Sequence, residues 1–235
     1  MSDNRPVGFF DSGIGGTCIL KAFQALCPNE RTIYLADTEH CPYGNRPADE
    51  IVRLSEANVK KLLAQDCKMI VVACNTATAA AIDYLRASYP GIPFIGLEPA
   101  VKPAALQSKT GVVAVLATAG TFNGRLYNET KARFAKDVTV IAAVADEFVT
   151  LVESLGRGEV SLTDDSARRI VEEKIRPLVA SGADHLVLGC THFPHLKPLI
   201  EEIAGPAVTV LDPSPAVAAQ ARRVLAARGL LADVV

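Results

Sequence analysis

Eight short runs rich in β-branched and other apolar residues recur along this chain, at 6–10, 32–36, 69–73, 94–97, 111–116, 138–143, 185–188 and 208–211. Most of the intervals between them carry helical periodicity. This alternation is the strongest constraint on the fold, because parallel strands can be neighbours only through a crossover connection, usually a helix. It predicts an α/β protein with mainly parallel sheets covered by helices on both faces. Helix signals mark the intervals. Pro47-Ala48-Asp49-Glu50 opens a helix that runs to about Gln65, with Ile51, Leu54, Val59, Leu62 and Leu63 on one stripe. Asp164 caps a second, which Ser181-Gly182 closes.

At 235 residues the chain can fill one large domain or two modest ones. Pro99 and Pro103 break the rhythm of strand and helix between residues 98 and 108, where a crossing between halves fits. The halves also echo each other. Phe10-Asp11-Ser12-Gly13 follows the first strand as Leu116-Ala117-Thr118-Ala119 follows the fifth, and Cys74 after the third strand matches Cys190 after the seventh. Two pseudo-symmetric α/β domains facing each other across a cleft are therefore expected.

The formal net charge of −2, with no dense block of Lys and Arg, argues against nucleic acid as a partner. No run of about 18 apolar residues is present to span a bilayer, and Met1-Ser2-Asp3-Asn4-Arg5 leads straight into the first strand without a targeting pattern. A cytoplasmic protein is expected. Its six cysteines include no Cys-x-x-Cys pair, so the thiols should stay reduced.

Cys74 and Cys190 each end a very apolar strand and precede a hydroxyl or amide residue: Cys74-Asn75-Thr76 and Cys190-Thr191-His192. Strand carboxyl ends are where α/β sheets bind ligands. Two thiols presented there, one per half, can move a proton from one face of a carbon atom to the other. Four loops at strand ends concentrate small and polar residues: Asp11-Ser12-Gly13-Ile14-Gly15-Gly16-Thr17, Cys41-Pro42-Tyr43-Gly44-Asn45, Cys74-Asn75-Thr76-Ala77-Thr78 and Gly189-Cys190-Thr191-His192-Phe193-Pro194.

These four loops, in order and spacing over essentially the whole chain, resemble those of the cofactor-independent glutamate racemases within the aspartate/glutamate racemase superfamily. The resemblance implies that Cys74 and Cys190 are the two catalytic bases, Cys190 acting on L-glutamate and Cys74 on D-glutamate. It implies that Asp11 assists Cys74, and that His192 and Glu153 assist near Cys190. Ser12, Asn75, Thr76, Thr118 and Thr191, with Asp11, His192 and the Pro42-Tyr43-Gly44 segment, would bind the substrate, glutamate. Helices starting just after Cys74 and Pro194 would add positive potential. No cofactor and no metal is expected, and supply of D-glutamate for peptidoglycan is the implied role. Homodimers are usual in the family. There the final helix returns to the first domain, which gives 1–97 plus 212–235 as one domain and 98–211 as the other. One departure is that Ala145-Asp146 stands where the family often has Cys-Pro.

Other readings of the same residues are weaker. An aspartate or broad-specificity racemase would keep both thiols, and a binding module would keep the cleft without the chemistry. Gly13-x-Gly15-x-x-Cys18, followed by Asp37, falls one glycine short of a dinucleotide fingerprint, and Asp11 puts negative charge where pyrophosphate would sit. Cys190-x-His192-x-x-His195 invites zinc, but three ligands from one short loop seldom converge on a tetrahedron. Cysteines 18, 27 and 67 read as packing residues, Cys41 as a lining or structural one, and His40 and His185 as surface or loop residues.

Overall fold

A computed structural model describes residues 3–232. The first half contains strands β1 (Val7–Asp11), β2 (Thr32–Ala36), β3 (Met69–Val72) and β4 (Phe94–Ile95). Helices α1 (Thr17–Leu26), α2 (Ala48–Leu63) and α3 (Asn75–Ser88) lie between them. The second half carries α4 (Val101–Gln107), β5 (Val112–Ala117), α5 (Ala119–Phe122), α6 (Arg125–Phe134) and β6 (Thr139–Val144). It continues with α7 (Asp146–Gly156), α8 (Asp165–Ala180), β7 (His185–Leu188), α9 (Lys197–Ala204), β8 (Thr209–Leu211) and α10 (Ser214–Ala227).

The strands form two four-stranded sheets, ordered β2-β1-β3-β4 and β6-β5-β7-β8. Every pairing is parallel. The two orders are the same once β5 is equated with β1, so β3 and β7 occupy equivalent places beside the first strand of each sheet. Burial follows this topology. β1, β3 and β7 are buried along their whole length, whereas the edge strand β6 alternates between exposed and half-buried residues. Central parallel strands covered on both faces need continuous apolar runs, which explains why Met69–Val72 and His185–Leu188 lack the alternation of a one-sided strand.

Two helical layers flank each sheet. On the first, Phe9, Met69 and Val71 pack with Ile19 and Phe23 of α1 and with Val217, Ala221 and Leu225 of α10. The opposite face packs Phe10, Ile70 and Val72 against α2 and α3. α10 thus belongs physically to the first sheet although it follows β8. A buried ion pair, Lys68 Nζ to Glu30 Oε2 at 2.7 Å, lies near the amino-terminal end of β3. Among the described residues no helix is long and apolar enough to cross a membrane.

The interval 98–108, which lies between β4 of the first sheet and β5 of the second, holds the seven-residue helix α4, which tolerates Pro103 because the first-turn N–H groups have no intrahelical acceptor. Several local expectations are corrected. The strand expected at 94–97 is only two residues long. Asp164 sits at the start of α8, but its carboxylate accepts the Ser161 N–H at 2.8 Å and makes no cap bond. His185 is a buried β7 residue, not a surface one, and is held by Asp184 at 2.8 Å. After Cys190 the chain makes a four-residue 3-10 turn, Phe193–Leu196, before α9, so no α-helix starts at Pro194.

Candidate active site

The equivalence of the two sheets brings the strand ends that carry the sequence motifs together. Cys74 follows β3 and caps α3, its Sγ accepting the Ala77 N–H at 3.5 Å. Cys190 follows β7 and is buried, as is Cys74. The two sulfurs are near enough that negative charge on Cys190 pushes the Cys74 thiol upward. The larger causes of that upward shift are burial and then the Asp11 carboxylate. Cys74 is thus held as a thiol in the resting protein.

Asp11, at the end of β1, is completely buried. Its Oδ2 accepts the Gly16 N–H at 2.6 Å and the Thr191 hydroxyl at 3.2 Å, while Oδ1 accepts the Ser12 N–H at 2.7 Å. Burial raises its pKa, and the His192 charge and the Gly16 N–H oppose that rise. Asp11 therefore braces the glycine loop ahead of α1 and reaches the opposite domain. Ser12 donates its hydroxyl to Asp11 at 3.3 Å and lies 3.9 Å from Cys74 Sγ.

Around Cys190 the arrangement has the opposite polarity. His192 Nδ1 lies 3.8 Å from Cys190 Sγ, and Nε2 lies 2.6 Å from Glu153 Oε1. Burial alone would push the imidazole down. Hydrogen bonds with Cys190, Cys41 and Glu153 reverse this and hold His192 well above its usual range. Glu153, on α7, is pushed up by burial but held below the usual carboxylate range by His192 and the Ile14 N–H. An imidazolium beside sulfur is where negative charge is best tolerated.

Hydrogen bonds cross from one half to the other at Thr191 to Asp11, Ile14 N–H to Glu153 at 2.9 Å, Thr17 with His195 at 3.3 Å, Thr76 with Thr118 at 2.8 Å and, farther out, Arg125 to Asp83 at 2.8 Å. Thr118 also meets Thr121 at 3.0 Å, a residue that the sequence did not single out. The glycines of the first loop permit this closeness. A Cβ on Gly13 would lie 1.9 Å from Glu153 Oε1, and one on Gly15 would lie 2.4 Å from His192 Nδ1. This loop serves interdomain contact, and both carboxylates that a dinucleotide site would involve are already engaged. Asp11 is turned into the seam, and Asp37 accepts from Tyr43 at 2.5 Å and meets His40 at 2.8 Å.

That bond to Asp37, with Asn58 at 3.1 Å, holds the buried Tyr43 phenol and fixes the loop whose Gly44 approaches Thr118. Pro42 is exposed and lines an outer cavity of about 450 Å³ with Cys41, Glu153 and Arg157. Asn75 is buried with both amide atoms unpartnered within the protein. Buried polar atoms are rarely left so, and an orphaned amide at the start of α3, next to Cys74, suits a polar ligand. Asp146 Oδ1 is also buried without a partner and would lie 3.3 Å from a Cβ on Gly44, so this departure adds an acidic group to the seam.

Cys41 was underrated. It forms a cluster with Glu153 and His192 whose ligand atoms lie within 4.8 Å of one another, a group that could hold a metal ion, whereas the sequence pointed to none. The only available signal was its place in the Cys41-Pro42-Tyr43-Gly44 loop. His195 turns instead to Thr17, so Cys190, His192 and His195 do not converge. Cys18 and Cys67 are pushed up to about 11, chiefly by burial, and stay inert thiols.

Residues 17–221 match the family described as Asp/Glu/Hydantoin racemase. A glutamate racemase of Herpetosiphon aurantiacus is 48% identical over 228 residues, covering 97% of this chain and 87% of that protein. The solved glutamate racemase of Escherichia coli, in complex with L-glutamate and the activator UDP-MurNAc-ala, superposes with a TM-score of 0.84 at 34% identity, covering 94% of this chain and 83% of that one. That of Francisella tularensis subsp. tularensis, in complex with D-glutamate, gives a TM-score of 0.81 at 30% identity, over 99% of this chain and 85% of that one.

Proposed function

The chain belongs to the Asp/Glu/hydantoin racemase family, and from that premise we propose that it interconverts L- and D-glutamate by a two-thiol proton transfer without cofactor or metal. The observation that carries this reading is the pair of buried thiols on equivalent strand ends, Cys74 beside the Asp11 carboxylate and Cys190 beside the His192 imidazole. For L-glutamate, a thiolate at Cys190, stabilised by the His192 imidazolium, removes the α-proton, and the Cys74 thiol delivers a proton to the other face. In the reverse direction Asp11 helps to free Cys74 of its proton, and Cys190 becomes the donor. His192 and Glu153 hold the charge on the Cys190 side.

The Asn75 amide and the hydroxyls of Ser12, Thr76, Thr118 and Thr191, with the backbone of the 42–44 segment, hold the ammonium and the two carboxylates. The open N–H groups of α3 attract negative charge next to Cys74. Circular dichroism of L-glutamate and of L-aspartate with the purified protein tests the reading. Racemisation with glutamate preferred supports it; absence of α-hydrogen exchange in deuterated water, or faster turnover of aspartate, overturns it.

The proposal extends to supply of D-glutamate for peptidoglycan in the cytoplasm and to a homodimer, both resting on family likeness and open to gene depletion and light scattering. The domains are taken as 1–97 with 212–235, and 98–211, a division supported by the packing of α10 on α1 and the first sheet.

A further inference from the structure

We propose that Cys41, Glu153 and His192 form a binding site for a borderline-soft divalent cation, with Zn²⁺ as its best occupant, and that occupancy shuts the racemase off. Thiolate, imidazole and carboxylate are the three ligand types that zinc prefers, and three protein ligands plus a water complete its tetrahedron. The three side chains come from separate elements: the loop after β2, helix α7 and the turn after β7. Their ligand atoms nevertheless lie within 4.8 Å of one another. A zinc tetrahedron with bonds of about 2.0–2.3 Å sets its donors about 3.3–3.6 Å apart. The His192–Glu153 separation of 2.6 Å must open by less than about 1 Å to reach that spacing.

The site is enclosed and supplied with an entry. His192 is almost wholly buried, and Cys41 and Glu153 line the cavity of about 450 Å³, through which hydrated metal and the fourth-ligand water can enter. Arg157 stands at the same cavity, but its guanidinium is paired with Glu159 at 2.6 Å, which offsets its charge toward an entering cation. Gly13 supplies the room on the inner side, since a Cβ there would meet both Glu153 Oε1 and, at 3.1 Å, Cys41 Sγ. Binding exchanges one cation for two protons, one leaving Cys41 Sγ and one leaving His192, so affinity rises with pH.

Two consequences follow for function, and they rest on the racemase reading above. The metal takes the imidazolium away from Cys190. It also joins a loop of the first sheet to two elements of the second, which staples the cleft shut across the seam. Neither consequence requires zinc to touch Cys74 or Cys190.

The test uses the full-length protein freed of metal by chelation. Zn²⁺ binding is measured by competition with a chromophoric indicator, and Co²⁺ is added separately to read the sulfur-to-metal charge-transfer band. The wild type, Cys41→Ser, Glu153→Gln and Cys74→Ser are compared, with racemisation followed at each zinc level. One zinc per chain is expected in the wild type and in Cys74→Ser, with a thiolate–cobalt band in both. Affinity falls more than about 100-fold in Cys41→Ser and is weakened in Glu153→Gln. Wild-type racemisation is inhibited in step with occupancy and restored by chelator, while whatever turnover Cys41→Ser retains resists zinc. Retained binding in Cys41→Ser, or loss of binding in Cys74→Ser alone, overturns the site. Full activity at full occupancy overturns the inhibitory role. Cobalt binding is read without substrate, so a protein that binds metal through Cys41 but never racemises glutamate would sink the racemase reading and leave the site standing.

Discussion

Gly13→Ala isolates what the glycine loop contributes. Gly13 is not among the residues with positive φ, so alanine strains no backbone there, and the effect comes from the added methyl. That methyl would lie 1.9 Å from Glu153 Oε1 and 2.9 Å from its Cδ. A carboxylate at the end of a flexible side chain gives way before backbone does. Glu153 then loses the Ile14 N–H at 2.9 Å and His192 Nε2 at 2.6 Å. Hydrogen bonds to charged groups contribute about 1.5–3 kcal/mol each, and rehydration from the neighbouring cavity brings the expected loss to about 2–4 kcal/mol of stability. If about 2.7 kcal/mol of this is also lost from the transition state, kcat/KM falls about 100-fold. Because the two enantiomers have equal free energy, that fall must be the same in both directions. Urea denaturation and circular dichroism assays from L- and D-glutamate measure the two quantities. The decisive comparison is a double-mutant cycle: in a Glu153→Ala background the carboxylate clash is gone and only the 3.1 Å approach to Cys41 Sγ remains, so Gly13→Ala should cost about 1 kcal/mol or less. An equal loss in both backgrounds would show that Gly13 is not there to accommodate Glu153.

Lys68→Met should destabilise the protein by about 3–5 kcal/mol in chemical denaturation, because it leaves the Glu30 carboxylate buried without its partner, while a Lys68→Met, Glu30→Leu double replacement should recover much of the loss. In deuterated water Cys74→Ser should exchange the α-hydrogen of L-glutamate only and Cys190→Ser that of D-glutamate only, as mass spectrometry would show; exchange of both enantiomers by either variant contradicts the assignment of faces. For pH, His192 is raised in the folded state, so its protonated form contributes stability that is complete below about pH 6.5 and is lost as pH rises through the raised value. Glu153 is lowered, so its contribution is present above about pH 4.5 and is lost as pH falls through the lowered value. His192→Asn should therefore flatten the alkaline limb of the stability profile measured by denaturation from neutral pH upward, and an unchanged limb would assign that slope to other groups.

What could be read from the linear chain was whatever depends on near neighbours. Continuous apolar runs such as Met69–Val72 announced covered parallel strands, helical stripes announced their crossovers, and the thiols at 74 and 190 were visible because a strand end is itself a local feature. The errors arose where a local rule met competition. Asp164 looked like a helix cap, yet the Ser161 N–H took its carboxylate, and His185 looked polar and peripheral although Asp184 allows it to be buried in β7.

The rest was decided in three dimensions. Glu153 and the Ile14 N–H are 139 residues apart in the chain, and Thr191 and Asp11 are 180 apart. No periodicity encodes such pairs, because they exist only in the pose of one sheet against the other. The same holds for Cys41, unremarkable in its loop and distinctive only beside His192, and for the contrasting neighbours of the two thiols, a carboxylate for Cys74 and an imidazole for Cys190. Residue type and spacing determined the elements and the chemistry they carry at their ends; burial and the Asp11 carboxylate determined that Cys74 holds its proton, since desolvation and charge act through space without regard to order along the chain.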